Sequence, residues 1–210
     1  MVIIKRCLGI QATETSEETA WLEHVRLTLA TRTRQTLPPG PKPAAVLLPL
    51  FLKDGAYHVL FTKRTEHLSH HRGEISFPGG TCHPEDASPQ EAALRETWEE
   101  VGIRPEDVDV LGAVDDFCSI HHYLVTPYVG VFPAGYRLTV NPGEIERLIE
   151  VPLAHFFQPE VFRVEDWTWK GREHPVYFYR YEGDEIWGLT AAILRQFLEI
   201  AFPARLTTEG

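Results

Sequence analysis

Cysteine is scarce in this chain, and its few thiols follow no recognisable pattern. The 210 residues contain 3 cysteines, Cys7, Cys82 and Cys118, and no C-x-x-C pair. An odd number of widely spaced thiols predicts neither a disulfide framework nor a zinc site. We therefore expect a reducing compartment.

Long apolar runs are also missing. No stretch approaches the roughly 18 apolar residues that a membrane-spanning helix needs. The start, MVIIKRCLGIQATETSEE, becomes acidic too early for a signal peptide. These absences predict a cytoplasmic protein with no membrane partner.

Basic residues are outnumbered by acidic ones. The chain has 20 Lys and Arg against 30 Asp and Glu, which gives a formal net charge of −10. Because nucleic acids are bound through clustered Lys and Arg, this balance predicts no nucleic-acid partner. A small anion could still bind through a local basic pocket or a metal ion. The 43% of hydrophobic residues is ample for a packed core.

The most informative feature that is present is a short acidic helix, predicted from residue 89 to residue 101. Ser88 has the properties of an N-cap, a proline follows it, and Glu91 completes a capping box. Gly102 is a typical residue just past a helix, and Pro105 prevents the helix from resuming.

At about 100° per residue, this helix has an apolar arc and an acidic arc. The apolar arc, predicted to face the core, contains Ala93, Leu94, Thr97, Trp98 and Val101. The acidic arc, predicted to face outward, contains Glu96, Glu99 and Glu100. Like charges at these spacings and the helix dipole both oppose this arrangement. Hard oxygen ligands suit Mg²⁺ or Mn²⁺, and a solvated acidic face is the alternative interpretation.

The remaining patterns indicate strands mixed with helices. Helices are predicted at residues 16–34 and from about residue 187 or 188 to residue 202, and a proline-rich linker at residues 35–43. Two hairpins are predicted, one turning at Asp54-Gly55 between strands 44–52 and 56–63, the other at Lys170-Gly171 between strands 162–169 and 175–181. Single strands are predicted at residues 74–77, 108–114 and 124–132. This order predicts an α+β fold or an α/β/α sandwich.

The acidic helix lies within a segment that resembles the nudix hydrolase signature, GX5EX7REUXEEXGU. The matching residues are Gly80, Arg95, Glu96, Glu99, Glu100, Gly102 and Ile103. Asp86 stands where the family usually has Glu, one additional residue separates it from Arg95, and Thr97 replaces an aliphatic residue.

The additional residue is similar to a feature of the coenzyme A pyrophosphatase subgroup of that family. The subgroup also has an upstream motif, LLTxRSxxLxxHxGxxxFPGG, and residues 60–80 of this chain read LFTKRTEHLSHHRGEISFPGG. The resemblance covers roughly residues 44–200. It implies a nudix-like α/β/α sandwich with a mixed β-sheet and an added N-terminal helix. We divide the chain into a helix and linker (1–43), a nudix domain (44–202) and a tail (203–210).

The resemblance implies metal-dependent hydrolysis of the pyrophosphate of coenzyme A or its derivatives, giving adenosine 3′,5′-bisphosphate and 4′-phosphopantetheine. The cofactor would be Mg²⁺ or Mn²⁺. One alternative is a nudix pyrophosphatase for another dinucleotide, such as ADP-ribose or NADH. Another is a non-catalytic nudix module that binds a nucleotide, and a further one is an acidic interaction helix without a ligand.

The resemblance also implies residue roles. Glu96 and Glu100, assisted by Glu99, would hold the metal ion, and Arg95 would fix a glutamate rotamer. Glu144 is the candidate general base, with Asp115 and Asp116 as alternatives. The candidate substrate-binding residues are Arg64, His71, Arg72, Gly79 and Gly80. The larger aromatic residues, interpreted as core or homodimer contacts rather than adenine-stacking groups, are Trp98, Trp167, Trp169 and Trp187.

Overall fold

The computed structural model describes residues 16–38, 42–66, 73–169 and 171–206. Its centre is a mixed eight-stranded sheet whose principal order is β3-β2-β1-β7-β5, with β4, β6 and β8 pairing with β1, β7 and β2. Strands β1 and β7 are parallel, and the other pairs are antiparallel. The strands are β1 (Lys42–Lys53), β2 (Ala56–Arg64), β3 (Ile75–Ser76), β4 (Gly79–Thr81), β5 (Asp109–Ala113), β6 (Phe117–Cys118), β7 (Tyr123–Val131) and β8 (Ile145–Pro152).

A second sheet of three antiparallel strands, in the order β11-β10-β9, follows the first along the chain. Its strands are β9 (Phe162–Trp169), β10 (Arg172–Tyr181) and β11 (Asp184–Trp187). The helices are α1 (Ser16–Thr31), α2 (Pro89–Val101), α3 (Gly188–Ala201) and the short α4 (Pro203–Leu206). No helix within the described ranges is long and apolar enough to cross a membrane.

Helices cover both faces of the central sheet. On one face, Ala92 and Ala93 of α2 pack against Ala45 of β1, and Val101 joins a cluster with Leu60 of β2. The other face packs against α1, α3 and the three-stranded sheet in the largest cluster of buried side chains. The predicted α+β class with a mixed sheet and a helix before it is confirmed.

The first hairpin forms as its sequence predicts. Asp54 and Gly55 both have positive φ, 52° and 75°, as a tight turn between antiparallel strands requires. Strand β1 is buried on both faces through most of its length, as its unbroken apolar character indicates. It lies between β2 and β7, at the centre of the sheet.

Some predicted boundaries differ from the structure. Helix α1 ends at Thr31 rather than near residue 34, because Arg32 and Arg34 leave the helix to pair with Asp115 and Asp116. The strand predicted at residues 74–77 is shortened to β3, and β4 is a further strand that was not predicted. Strand β8 was not predicted from the sequence. Its alternating apolar residues are interrupted by charged ones, and it forms only by pairing with β2.

The placement of three tryptophans in the core was wrong. Trp98, Trp167 and Trp187 are 55%, 46% and 37% exposed. Trp98 lies at the margin of the apolar arc of α2, about 100° from Thr97, and most of its ring remains in solvent. Trp167 and Trp187 lie on the outer face of the three-stranded sheet, where their rings cover that of Phe178. The Trp169 side chain lies outside the described residues, and the homodimer contact stays a prediction.

Candidate functional site

Helix α2 is fixed at both ends by the caps that its sequence predicts. The Ser88 hydroxyl accepts a hydrogen bond from the Glu91 backbone N–H at 3.2 Å. Gly102 has φ of 78° and donates its N–H to the Trp98 carbonyl at 2.9 Å. The predicted bounds, residues 89 and 101, are confirmed. The acidic arc therefore has a defined orientation relative to the sheet.

The three carboxylates of the acidic arc lie in different environments. Glu100 is only 3% exposed, so the prediction that the whole arc faces outward was wrong for this residue. Its side chain turns toward β4, where the Gly79 N–H donates to its Oε2 atom at 3.3 Å. The Glu96 side chain is partly buried, whereas that of Glu99 is 53% exposed.

Two adjacent glycines allow β4 to approach the acidic arc. A Cβ atom on Gly80 would lie 2.6–2.8 Å from the carboxylate atoms of Glu96, so this carboxylate occupies the space that a side chain would fill. Gly79 has φ of 150°, and a Cβ atom there would lie 2.4 Å from the Ala45 carbonyl oxygen. Gly80 thus accommodates the acidic arc, whereas Gly79 is required by strand pairing.

Burial raises the pKa of Glu100 to about 8. The Arg64 guanidinium and the Gly79 N–H oppose this shift, whereas the neighbouring carboxylates of Glu96 and Glu144 add to it. A buried carboxyl group with two acidic neighbours is costly for the fold, and strongly perturbed groups of this kind concentrate at functional sites.

Arg95 connects the acidic arc to the loop before α2. Its Nε and Nη2 atoms bind Oδ1 and Oδ2 of Asp86 at 2.9 and 3.0 Å, and Nη1 donates to Glu96 Oε1 at 2.8 Å. These hydrogen bonds lower the pKa of Asp86 to about 2. Arg95 therefore fixes the rotamer of Glu96 and holds the loop that contains Asp86.

Thr97, which departs from the aliphatic residue of the signature, fits the apolar arc without an unsatisfied polar atom. It is fully buried, and its hydroxyl donates to the Ala93 carbonyl at 2.6 Å, one turn earlier in the same helix. The methyl group remains available for packing.

The segment that contains Glu144 is held between α2 and β2. The backbone N–H groups of Thr139 and Asn141 donate to the carbonyls of Val101 and Glu100, both at 2.9 Å. The Thr65 N–H, at the end of β2, donates to the Glu144 carbonyl, also at 2.9 Å. The Glu144 side chain thereby lies near the guanidinium of Arg64, with 3.9 Å between its Oε2 atom and Nη2.

The alternative bases, Asp115 and Asp116, have structural partners. Asp115 pairs with Arg32 and accepts the Gln35 N–H at 2.8 Å. Asp116 pairs with Arg34 and accepts a hydrogen bond from the Thr126 hydroxyl at 2.8 Å. Both carboxylates anchor the chain that follows α1 to the sheet.

The acidic arc offers some, but not all, of the oxygen ligands that a hard divalent cation needs. Among the described residues, no three His, Cys, Asp or Glu side chains are gathered closely enough to hold one metal ion. Glu96 and Glu100 lie one helical turn apart beside β4, and Mg²⁺ is commonly held by one or two carboxylates together with waters and phosphate oxygens. These two side chains could supply such a site for Mg²⁺ or Mn²⁺, and Glu99 lies farther out, beside Arg95.

Two of the predicted substrate-binding residues, His71 and Arg72, lie outside the described residues. The structure brings Arg64, Gly79 and Glu100 together, and Gly80 with Glu96. Sequence reasoning did not assign a role to Asn141, whose amide Nδ2 lies 3.4 Å from Glu144 Oε1. Its position before Pro142-Gly143 indicated a turn and gave no sign of that contact.

The sequence of this chain is similar to known proteins over most of its length. The profile of the NUDIX domain matches residues 40–176. An uncharacterized Nudix hydrolase NudL of Photorhabdus laumondii is 42% identical over 170 residues, which cover 78% of this chain and 90% of that protein. The chloroplastic Nudix hydrolase 22 of Arabidopsis thaliana is also 42% identical, over 161 residues that cover 73% of this chain and 53% of that protein.

Among solved structures, a MutT/nudix family protein from Enterococcus faecalis aligns with 93% of this chain and 75% of its own, at 18% identity and a TM-score of 0.47. The profile match spans more than half of the chain, and the NudL relative is similar over most of its own length. The chain therefore belongs to the Nudix hydrolase family, enzymes that act on the pyrophosphate bonds of nucleoside diphosphate derivatives.

Proposed function

We propose that this protein hydrolyses the pyrophosphate bond of coenzyme A or its derivatives, with Mg²⁺ or Mn²⁺ as the cofactor. The products would be adenosine 3′,5′-bisphosphate and 4′-phosphopantetheine. The observation that carries the metal-dependent part is the environment of Glu100, a buried carboxyl group whose charged form the neighbouring carboxylates of Glu96 and Glu144 disfavour further. A divalent cation at this position would neutralise charges that otherwise repel one another.

Each side chain of the candidate site would have a separate role in the reaction. A divalent ion held by Glu96 and Glu100 would stabilise negative charge on the pyrophosphate oxygens and acidify a water molecule. Glu144 would accept the proton of the attacking water. Arg95 keeps Glu96 in one rotamer, and the Gly79 N–H does the same for Glu100. Hydrogen-bonded partners thus fix both proposed metal ligands before the substrate arrives.

The choice of coenzyme A rests on the sequence of residues 60–80, since the acidic helix alone is shared by nudix enzymes with other substrates. The cationic and hydrogen-bonding groups of this segment include Arg64, His71 and Arg72. We propose that His71 and Arg72, with Gly79 and Gly80, contact the phosphates. His71 and Arg72 enter this proposal on sequence grounds alone.

The proposal is tested by measuring hydrolysis of coenzyme A, ADP-ribose and NADH with Mg²⁺, with Mn²⁺ and with a chelator. We expect coenzyme A to be hydrolysed with the highest kcat/KM and the chelator to abolish the reaction. Glu100→Gln should lower kcat by about two to three orders of magnitude, the loss typical of one preorganised electrostatic group.

Arg147→Met is a suitable control, because Arg147 pairs with Asp184 at the protein surface. It should leave kcat unchanged. Preference for ADP-ribose or NADH would contradict the assignment of the substrate, and activity in the chelator would contradict the mechanism. Binding of these nucleotides without any turnover would indicate a non-catalytic module.

A further inference from the structure

Arg64 contacts two carboxylates that belong to separate parts of the chain. It is the last residue of β2, and its side chain is 23% exposed. Its Nη1 atom lies 3.4 Å from Glu100 Oε1, and its Nη2 atom lies 3.9 Å from Glu144 Oε2. One guanidinium thus lies between the proposed metal ligand and the proposed general base.

The contacts of Arg64 are looser than those of the other arginine in the site. All three nitrogens of the Arg95 guanidinium have acceptors at 3.2 Å or less. The Nε atom of Arg64 is buried, and no described residue accepts a hydrogen bond from it. A buried donor without a partner has a cost, so the position of Arg64 is not explained by its own hydrogen bonding. Its place between two carboxylates offers an explanation.

The carboxylate of Glu144 is approached from two sides. Arg64 faces its Oε2 atom, and the amide Nδ2 of Asn141 lies 3.4 Å from its Oε1 atom. The backbone of Glu144 is bound to Thr65, the residue after Arg64. The side-chain and backbone contacts together tie the segment before β8 to the end of β2.

We propose that Arg64 is a positioning residue, which holds the Glu144 carboxylate beside Glu100 so that base and metal ligand face the same space. This inference rests on the proposed role of Glu144 as general base. It differs from the expectation that Arg64 binds phosphate, because both Nη groups are directed at carboxylates. Arg64 would then act on kcat through Glu144 rather than on substrate affinity.

The first test compares Arg64→Met with the wild-type protein on the nucleotide of the panel that the wild type hydrolyses fastest. A misplaced base should lower kcat about 10- to 100-fold, because small displacements of reacting groups are costly. KM should change less than about threefold, since no substrate contact is lost. A tenfold increase in KM with kcat unchanged would overturn the proposal and assign Arg64 to substrate binding.

The second test is a double-mutant cycle with Glu144→Gln. If Arg64 acts through Glu144, the double variant should have the kcat of Glu144→Gln alone. Losses that multiply would overturn the proposal, because Arg64 would then act independently of Glu144. Arg147→Met, three residues beyond Glu144 and paired with Asp184, is the matched control and should leave kcat unchanged.

The third test needs neither substrate nor metal. Hydrogen exchange of the Thr65, Glu144 and Ile145 amides reports on the backbone ties of the segment. We expect faster exchange of these amides in Arg64→Met and unchanged exchange in the Gly102 cap of α2. Unchanged exchange throughout would overturn the proposal. A wrong substrate or an inactive wild type would contradict the proposed function without affecting this result.

Discussion

Carboxylates lie beside arginines in two parts of this protein. The carboxylates of the two parts differ in how much of their hydrogen-bonding capacity is used. After α1, four side chains form an arginine clasp, composed of Arg32, Arg34, Asp115 and Asp116. Each aspartate of the clasp also accepts a backbone N–H and a further side-chain hydrogen bond. In the candidate metal site, Glu100 has one N–H donor at 3.3 Å and an arginine at 3.4 Å, with two other carboxylates nearby.

The difference separates carboxylates that hold the fold from carboxylates that are available for chemistry. Asp115 and Asp116 each accept three hydrogen bonds, which use most of the roughly four lone-pair sites of a carboxylate. Glu100 and Glu144 have fewer and longer contacts with described donors, at 3.3 and 3.4 Å for Glu100 and at 3.4 and 3.9 Å for Glu144. The preference for Glu144 over Asp115 and Asp116 as the general base therefore rests on unused hydrogen-bonding capacity, which the sequence does not reveal.

The largest expected effect comes from the glycines that bring β4 to the acidic arc. Gly79→Ala would place a Cβ atom 2.4 Å from the Ala45 carbonyl oxygen at φ of 150°. We expect a loss of about 3 kcal/mol or more in the free energy of unfolding, since backbone atoms cannot move aside easily. The measurement is urea denaturation of the metal-free protein.

Gly80→Ala is the matched variant. Its Cβ atom would meet the carboxylate of Glu96, the end of a side chain that can rotate. The free energy of unfolding should fall by less than about 1 kcal/mol, while kcat drops about tenfold because a proposed metal ligand is displaced. Equal losses of stability in the two variants would show that both glycines only serve the fold.

The next largest effect is a difference in the free energy of unfolding between a variant of the clasp and a variant of the candidate site. Asp116→Asn removes the charge that pairs with Arg34, so the free energy of unfolding should fall by about 2 kcal/mol. Glu100→Gln replaces a buried carboxyl group whose raised pKa shows that its charged form is disfavoured, so it should leave that free energy unchanged or increase it. Chemical denaturation with a chelator present measures both variants.

A larger loss of stability in Glu100→Gln than in Asp116→Asn would contradict the distinction between the two regions. The activity per folded molecule provides the control, since Asp116→Asn should keep kcat within about twofold of the wild type. Loss of activity in this variant without loss of stability would return Asp116 to the list of candidate bases.

Much of the fold could be predicted because local signals determine it. Ser88, Gly102 and the Asp54-Gly55 turn act within a few residues, so helix α2 and the first hairpin were predicted at their observed places. Strand β8 was not predicted, since its pairing partner is about ninety residues away in sequence and its own pattern contains three charged residues. Tertiary pairing decides such a strand.

The site was predictable in composition but not in orientation. Helical spacing placed Glu96, Glu99 and Glu100 on one arc, and it could not show that β4 would bury Glu100 and leave Glu99 exposed. That outcome depends on how closely two elements approach each other. The contact of Arg64 with Glu144 likewise arises from the meeting of β2 with a distant segment.

The smallest expected effect concerns Asp86. Its carboxylate lies beside the candidate site, but most of its hydrogen-bonding capacity is used, as in the aspartates of the clasp. Arg95 holds its folded-state pKa at about 2, below the ordinary value of 3.8. A depressed pKa stabilises the folded state above about pH 4, and this contribution is lost as the pH falls toward 2. Because solvent screens part of the interaction, we expect about 1 kcal/mol.

Asp86→Asn should therefore lower the free energy of unfolding by about 1 kcal/mol at pH 6, and the difference from the wild type should vanish near pH 2. Urea denaturation at several pH values measures this difference. Asp109→Asn, at an exposed pair with Arg26, is the control and should show a smaller difference. A difference for Asp86→Asn that persists unchanged to pH 2 would mean that hydrogen bonding by the neutral side chain, rather than its charge, holds the loop. The ion pair with Arg95 would then not be the property that distinguishes Asp86 from Glu100.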